Sequence, residues 1–135
     1  MGLLDKLFAS TGSTNESDKS KQQNVTPWID LNQVEQLENI AEKSKSKTQY
    51  IFKHSTRCGV SRMVISQFKK NYKLSEAEAD LYYLDLLNYR AISAEIAEKF
   101  QVMHESPQLL VIKNGVVVAH DSHSGINTLD LEKFL

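Results

Sequence analysis

A single cysteine, Cys58, occurs in the 135 residues, so the chain cannot close a disulfide on itself. Chains of oxidising compartments more often carry paired cysteines. The N-terminus lacks the long apolar core of a secretory signal, and no apolar run approaches the length of a membrane span. A soluble, cytoplasmic protein with no membrane partner is expected. Residues 9–24 contain no large apolar side chain; their Ser, Thr, Asn, Gln and charges read as a flexible linker. Ahead of them Leu3, Leu4, Leu7 and Phe8 form a short amphipathic segment. Gly2 is not read as a myristoylation site, because Lys6 stands where that motif takes Ser or Thr. Residues 1–24 are thus set apart from one folded domain over 25–135. No internal repeat is visible.

Acidic residues are missing where basic ones crowd. No Asp or Glu occurs from 43 to 75, a stretch with nine Lys or Arg, whereas 7 basic residues face 17 acidic ones elsewhere. A formal net charge of −1 therefore hides a strongly basic segment. No nucleic-acid motif accompanies it, and about half of its charges fall at helix ends, so nucleic acid is not an expected partner. Steering of anionic thiols or acidic client proteins suits it better.

The apolar pattern alternates strands and helices. Residues 28–31 read as a strand, followed by a helix that Asn32 can cap, with Val34, Leu37, Ile40 and Ala41 on one face. Residues 49–54 form the next strand. Ser55 or Thr56 can cap a helix over 58–72 whose face is Val60, Met63, Val64 and Phe68. The near-continuous apolar run 81–87 suits a strand buried on both faces. Ile92, Ile96 and Phe100 mark a third helix. Two strands, 109–112 and 116–119, join through Asn114-Gly115, a strong hairpin signal. A last helix starts at Asn127 or Thr128 and ends at Phe134. This order predicts an α/β fold: a central mixed β-sheet flanked by helices on both faces.

Cys58 stands where the second strand turns into the second helix, inside Lys53-His54-Ser55-Thr56-Arg57-Cys58-Gly59-Val60-Ser61-Arg62. A helix N-terminus flanked by cations and free of carboxylates favours thiolate over thiol, which makes Cys58 the candidate nucleophile. The alternative is a buried structural cysteine; the turn position argues against it. Ser61, one helical turn on, offers its hydroxyl and backbone N–H as donors to the thiolate. Arg57 and Lys53 are candidates to hold a substrate carboxylate or to steady the thiolate. Thr56 reads as a cap whose amide also lies beside the thiol. His54 either pairs with the thiolate or faces solvent. His104 and His120 read as structural or exposed. One Cys and four scattered His give no metal-ligand spacing, so no metal and no bound cofactor are expected. An iron–sulfur cluster would need Cys58 from two chains plus two small thiols.

The order of elements, with Cys58 at a strand-to-helix turn and Pro107 just before a hairpin, resembles the thioredoxin fold over nearly all of 28–135. That resemblance implies a cis Ser106–Pro107 bond beside the cysteine, with the Ser106 backbone free to pair with an extended thiol substrate. It also brings the turn containing His123 towards the site, as a candidate substrate contact. Cys58-Gly59-Val60-Ser61 and Ser106-Pro107-Gln108-Leu109 with Gly115 are similar to segments of monothiol glutaredoxins. A longer set resembles the monothiol bacilliredoxins, the YtxJ-type proteins of the bacillithiol system. It comprises Phe52 to Cys58 with Ser61-Arg62-Met63, Glu105-Ser106-Pro107-Gln108, Ile112-Lys113-Asn114-Gly115, and Ser122-His123-Ser124 with Ile126. The resemblance implies a thiol–disulfide oxidoreductase. Its partners would be S-thiolated client proteins, bacillithiol as co-substrate, and a thiol reductase. Gly59 follows the glutaredoxin signature, which keeps an iron–sulfur carrier open. A non-enzymatic thioredoxin-fold adaptor remains the third alternative.

Overall fold

The computed structural model describes residues 26–135. The amphipathic segment at 1–8, the linker at 9–24 and the domain start at Val25 lie outside the described residues. The order is β1 (Trp28–Asp30), α1 (Gln36–Lys43), β2 (Thr48–His54), α2 (Gly59–Asn71), β3 (Ala79–Asp85), α3 (Arg90–Phe100), β4 (Gln108–Lys113) and β5 (Val116–Ser122). Two 3₁₀ turns, His123–Thr128 and Leu131–Phe134, follow. No helix among the described residues is long and apolar enough to cross a membrane.

The strands form one mixed sheet in the order β1-β3-β2-β4-β5. β3 runs parallel to β1 and β2; β4 runs antiparallel to β2 and β5. β2 is therefore central, and all seven of its residues are buried. Its side chains alternate between two cores, as the period of two requires. Ile51 packs with Leu37 and Ile40 of α1, Ile92, Ile96 and Phe100 of α3, and Leu110 and Ile112 of β4. Tyr50 and Phe52 pack on the other face with Val64, Ile65 and Phe68 of α2, Tyr72 just after it, Leu109, Val111 and Ile126. Each fully buried aliphatic or aromatic side chain contributes about 1.5–3 kcal/mol, so these two layers supply most of the drive to fold.

Several boundaries and faces differ from the sequence expectation. Asn32 does not cap α1. Instead the Gln36 side chain reaches back: its Oε1 accepts from the Asn32 and Gln33 amides at 2.8 and 2.9 Å, and its Nε2 donates to Asp30 O at 2.9 Å. Val34 lies outside the helix and is exposed. Gln36→Ala is expected to cost about 1 kcal/mol, the usual net worth of a hydrogen bond, read as a lower urea midpoint with unchanged slope. β3 ends at Asp85, and Leu86 and Leu87 belong to the following turn. The buried face of α2 is Ser61, Val64, Ile65 and Phe68, whereas Val60 and Met63 are exposed.

The hairpin forms as the Asn-Gly pair dictates. Asn114 and Gly115 take φ of 53° and 81°, the left-handed pair of a tight turn. Their amides dock on the end of α1, to Ser44 O at 2.9 Å and Ser44 Oγ at 2.8 Å. The expected last α-helix is absent. Leu129, extended at ψ 133°, divides the segment into two 3₁₀ turns. Strand side chains hold the second one by its carbonyls: Tyr50 Oη donates to Leu131 O and Thr48 Oγ1 to Phe134 O, both at 2.6 Å.

Candidate active site

The C-terminal ends of β2 and β3 lie at one edge of the sheet, because the two strands run parallel with His54 opposite Asp85. β2 passes there through Ser55, Thr56 and Arg57 into α2. Cys58 is the N-cap of α2, with extended φ −94° and ψ 122°. Neither Ser55 nor Thr56 caps the helix; no side chain does. The Cys58 amide donates to Ser55 O at 3.2 Å, and Cys58 O accepts from Arg62 N–H at 3.0 Å. The first-turn amides of α2 have no partner within the helix, so they present the positive end of its dipole at the cysteine. The thiol is free and partly exposed. Thr56 and Arg57 on its approach are exposed. Gly59 is exposed too, and a Cβ there would meet Arg62 Nη2 at 3.9 Å, an ordinary contact. The backbone therefore does not demand glycine beside the thiol.

The start of β4 reaches the same edge. Gln108 pairs with Lys53 in the antiparallel register, which carries Pro107 one step further along, towards His54. The Ser106–Pro107 peptide is cis. Pro107 is buried and Ser106 half-buried. Neither the N–H nor the C=O of Ser106 is hydrogen-bonded among the described residues. His123, exposed and left-handed at φ 54°, is tied alongside by its amide, which donates to Pro107 O at 3.1 Å. The loop into the proline is pinned as well. The Gln108 side chain accepts from Glu105 N–H at 3.3 Å and donates to Met103 O at 2.9 Å, and Ser122 Oγ donates to Glu105 Oε1 at 2.5 Å.

Cys58, Thr56, Arg57, Gly59, Ser106, Pro107 and His123 thus share one edge. Two expected residues do not serve as expected. Lys53 is fully buried. It projects with Ile51 onto the α1/α3 face, with Nζ 3.3 Å from His104 Nδ1 and 3.5 Å from Ser93 O. It is a buried cation and not a surface arm for a substrate carboxylate. Burial pulls its pKa down to about 8. His104, expected to be structural or exposed, is an exposed residue whose Nδ1 faces Lys53; partial burial and then the Lys53 charge lower its pKa. Ser61 is fully buried, and its hydroxyl is engaged away from the thiol: Oγ lies 2.8 Å from His54 Nδ1 and accepts from the Ser55 amide at 3.1 Å.

His54 neither pairs with the thiolate nor faces open solvent. It projects with Phe52 towards α2, and its ring lies 5.7 Å from that of Tyr83. Burial lowers its pKa, Asp85 opposes that shift, and the Lys69 and Arg62 charges add to it. The strand alternation Tyr50, Phe52, His54 was the available signal that this imidazole points under the Cys58 turn.

Known proteins share this fold. The family model of the monothiol bacilliredoxin BrxC matches residues 29–131. Among solved structures, a protein described as a candidate oxidoreductase with a thioredoxin fold is 34% identical, with a TM-score of 0.67 over 80% of this chain and 93% of its own. The reduced thioredoxin pre-protein of Schistosoma mansoni is 26% identical, with a TM-score of 0.61 over 82% of this chain and all of its own. Spinach chloroplast thioredoxin f, 15% identical with a TM-score of 0.58 over 82% and 92% of the two chains, shares the fold.

Proposed function

The chain belongs to the monothiol bacilliredoxin family, and from that premise we propose that Cys58 lifts a small-thiol cap, bacillithiol, from client proteins. The observation that carries this is the placement of the lone thiol: partly exposed, at the start of α2, on the edge shared with the Ser106–Pro107 segment. The Cys58 thiolate attacks the small-thiol sulfur of the client's mixed disulfide. A new sulfur–sulfur bond forms to Cys58 as the old one breaks, and the client departs as a free thiolate. A second small thiol, or a partner reductase, then attacks the capped Cys58 and regenerates its thiolate. Ser61 stands where a dithiol enzyme has its resolving cysteine, so this second step requires a thiol from outside the chain.

The surroundings support the reading. Ser106 offers unpaired backbone to an extended client strand, as in strand addition. Arg57 and His123 are exposed on the same edge and supply donors for the cap's carboxylates. The excess of positive charge around α2 steers anionic thiols inward. The test is intact-mass spectrometry of the protein mixed with a client carrying one bacillithiol. Cys58 is expected to gain one bacillithiol as the client loses it, faster than with a glutathione-capped client. A cap that stays on the client defeats the proposal; equal transfer of both caps defeats its bacillithiol part.

A further inference from the structure

The Ser61 hydroxyl has two hydrogen-bond neighbours. One is the Ser55 amide, a donor, which uses an oxygen lone pair. The other is His54 Nδ1, 2.8 Å away; which of the two donates depends on the imidazole tautomer, and a neutral ring with its hydrogen on Nε2 takes the hydroxyl hydrogen. All three residues are at least nine-tenths buried. Ser55 is consequently held by both of its backbone groups: its amide on Ser61 of α2 and its carbonyl on the Cys58 amide.

We infer that His54 is a positioning residue for thiol exchange: by taking the Ser61 hydroxyl hydrogen it orients Ser61 Oγ on the Ser55 amide, which fixes the Ser55–Cys58 turn against α2. This deepens the thiol-exchange reading proposed above and rests on it. The Ser61 hydroxyl accordingly acts as a strut and not as a donor to sulfur, while its backbone N–H stays among the first-turn amides. A fixed turn keeps Sγ at the free first-turn amides, where the thiolate is favoured. A loose turn lets the cysteine leave them. The groups facing the imidazole are Asp85 and Tyr83 from β3, Arg62 and Lys69 from α2, and Phe52 of its own strand. A hydrogen bond donated to neutral Nδ1 favours the uncharged ring, in the same direction as burial.

The test uses the full chain and two readouts that need no particular cap: the alkylation rate of Cys58 by iodoacetamide, and NMR of the His54 ring and the Ser55 amide. Ser61→Ala is expected to move the His54 titration upward towards the ordinary imidazole value. It should also speed Ser55 amide exchange and slow alkylation about tenfold, the usual worth of one buried hydrogen bond. His54→Leu should slow alkylation similarly. Because both act on one strut, the double variant should lose about tenfold and not a hundredfold. His54→Asn places an oxygen where Nδ1 stood and should recover most of what His54→Leu loses. An unmoved His54 titration in Ser61→Ala, additive losses, or no recovery with Asn would each overturn the inference. If His54→Leu does not fold, Ser61→Ala and His54→Asn still decide. Since alkylation involves no bacillithiol, a failure here is distinguishable from a failure of cap removal.

Discussion

Cys58→Ser is expected to abolish cap transfer completely while leaving the fold intact or slightly firmer. The chemical half follows from the chain's single thiol. A serine hydroxyl is not ionised near neutral pH and does not attack a disulfide, and no second cysteine can substitute. The structural half follows from position. The thiol is only partly buried, and the residue is the N-cap of α2 with no side-chain cap now in place. Serine is among the preferred N-caps, worth about 0.5–1 kcal/mol over a residue that does not cap. The variant should therefore melt at the same or a higher temperature and still show no transfer of bacillithiol in the mass spectrum. A catalytic loss caused by misfolding would show the opposite sign in the melting curve. If the variant kept its activity in cells, the chain would be acting as an adaptor, and the thiol would not be its working part.

Much of this was legible in the sequence because it depends on short-range chemistry. The Asn114-Gly115 turn needs two left-handed residues and takes them. The runs at β2 and β3 are apolar because both faces of a central strand are covered. Cys58 is conspicuous by rarity and by its place between a strand and a helix. What failed was set by tertiary context. Val60 and Met63 fit a helical stripe with Phe68, yet the first turn of α2 lies at the sheet edge, so its apolar side chains stay exposed beside the site. No side chain caps α1; Gln36 instead ties down the preceding turn, because a long amide can serve two backbone N–H groups at once. The second terminal 3₁₀ turn depends on Tyr50 and Thr48, over eighty residues away. Ser61 was read by its spacing from Cys58, whereas its actual partner, His54, lies seven residues back and across the strand-to-helix turn.

Lys53 departs from its expected place for a related reason, and it carries the second large prediction. A lysine at the end of an apolar strand reads as a surface charge, but the alternation of β2 aims it inward beneath α3, where it meets a histidine ring and a carbonyl. Burial lowers its pKa from 10.5 to about 8. Between these values the unfolded chain binds the proton and the folded chain does not, so stability must rise with pH through this window. Below pH 8 both states are protonated and the full cost of the buried ammonium is present. That cost is about 3 kcal/mol at roughly 1.4 kcal/mol per pKa unit, and most of it is relieved by pH 10. The tyrosines close the window from above. Burial raises Tyr72 and Tyr82 from 10.0 to about 12 and raises Tyr50 and Tyr83 as well, so all four oppose folding once unfolded phenols begin to ionise, from about pH 9 upward, and pH 8 to 9 is left to Lys53. His54 and His104, both lowered from 6.5, act below it. Urea midpoints of the wild type are therefore expected to climb from pH 8 to 9. Lys53→Met, similar in length and uncharged, should be more stable than wild type at pH 7 by about 2–3 kcal/mol and flat from pH 8 to 9. A wild-type midpoint that stays level from pH 8 to 9 would show that the ammonium is solvated, and a less stable methionine variant would show that its bonds outweigh its burial. The gain should come with slower cap removal, because the same ammonium holds His104 in the loop that runs into Ser106 and Pro107.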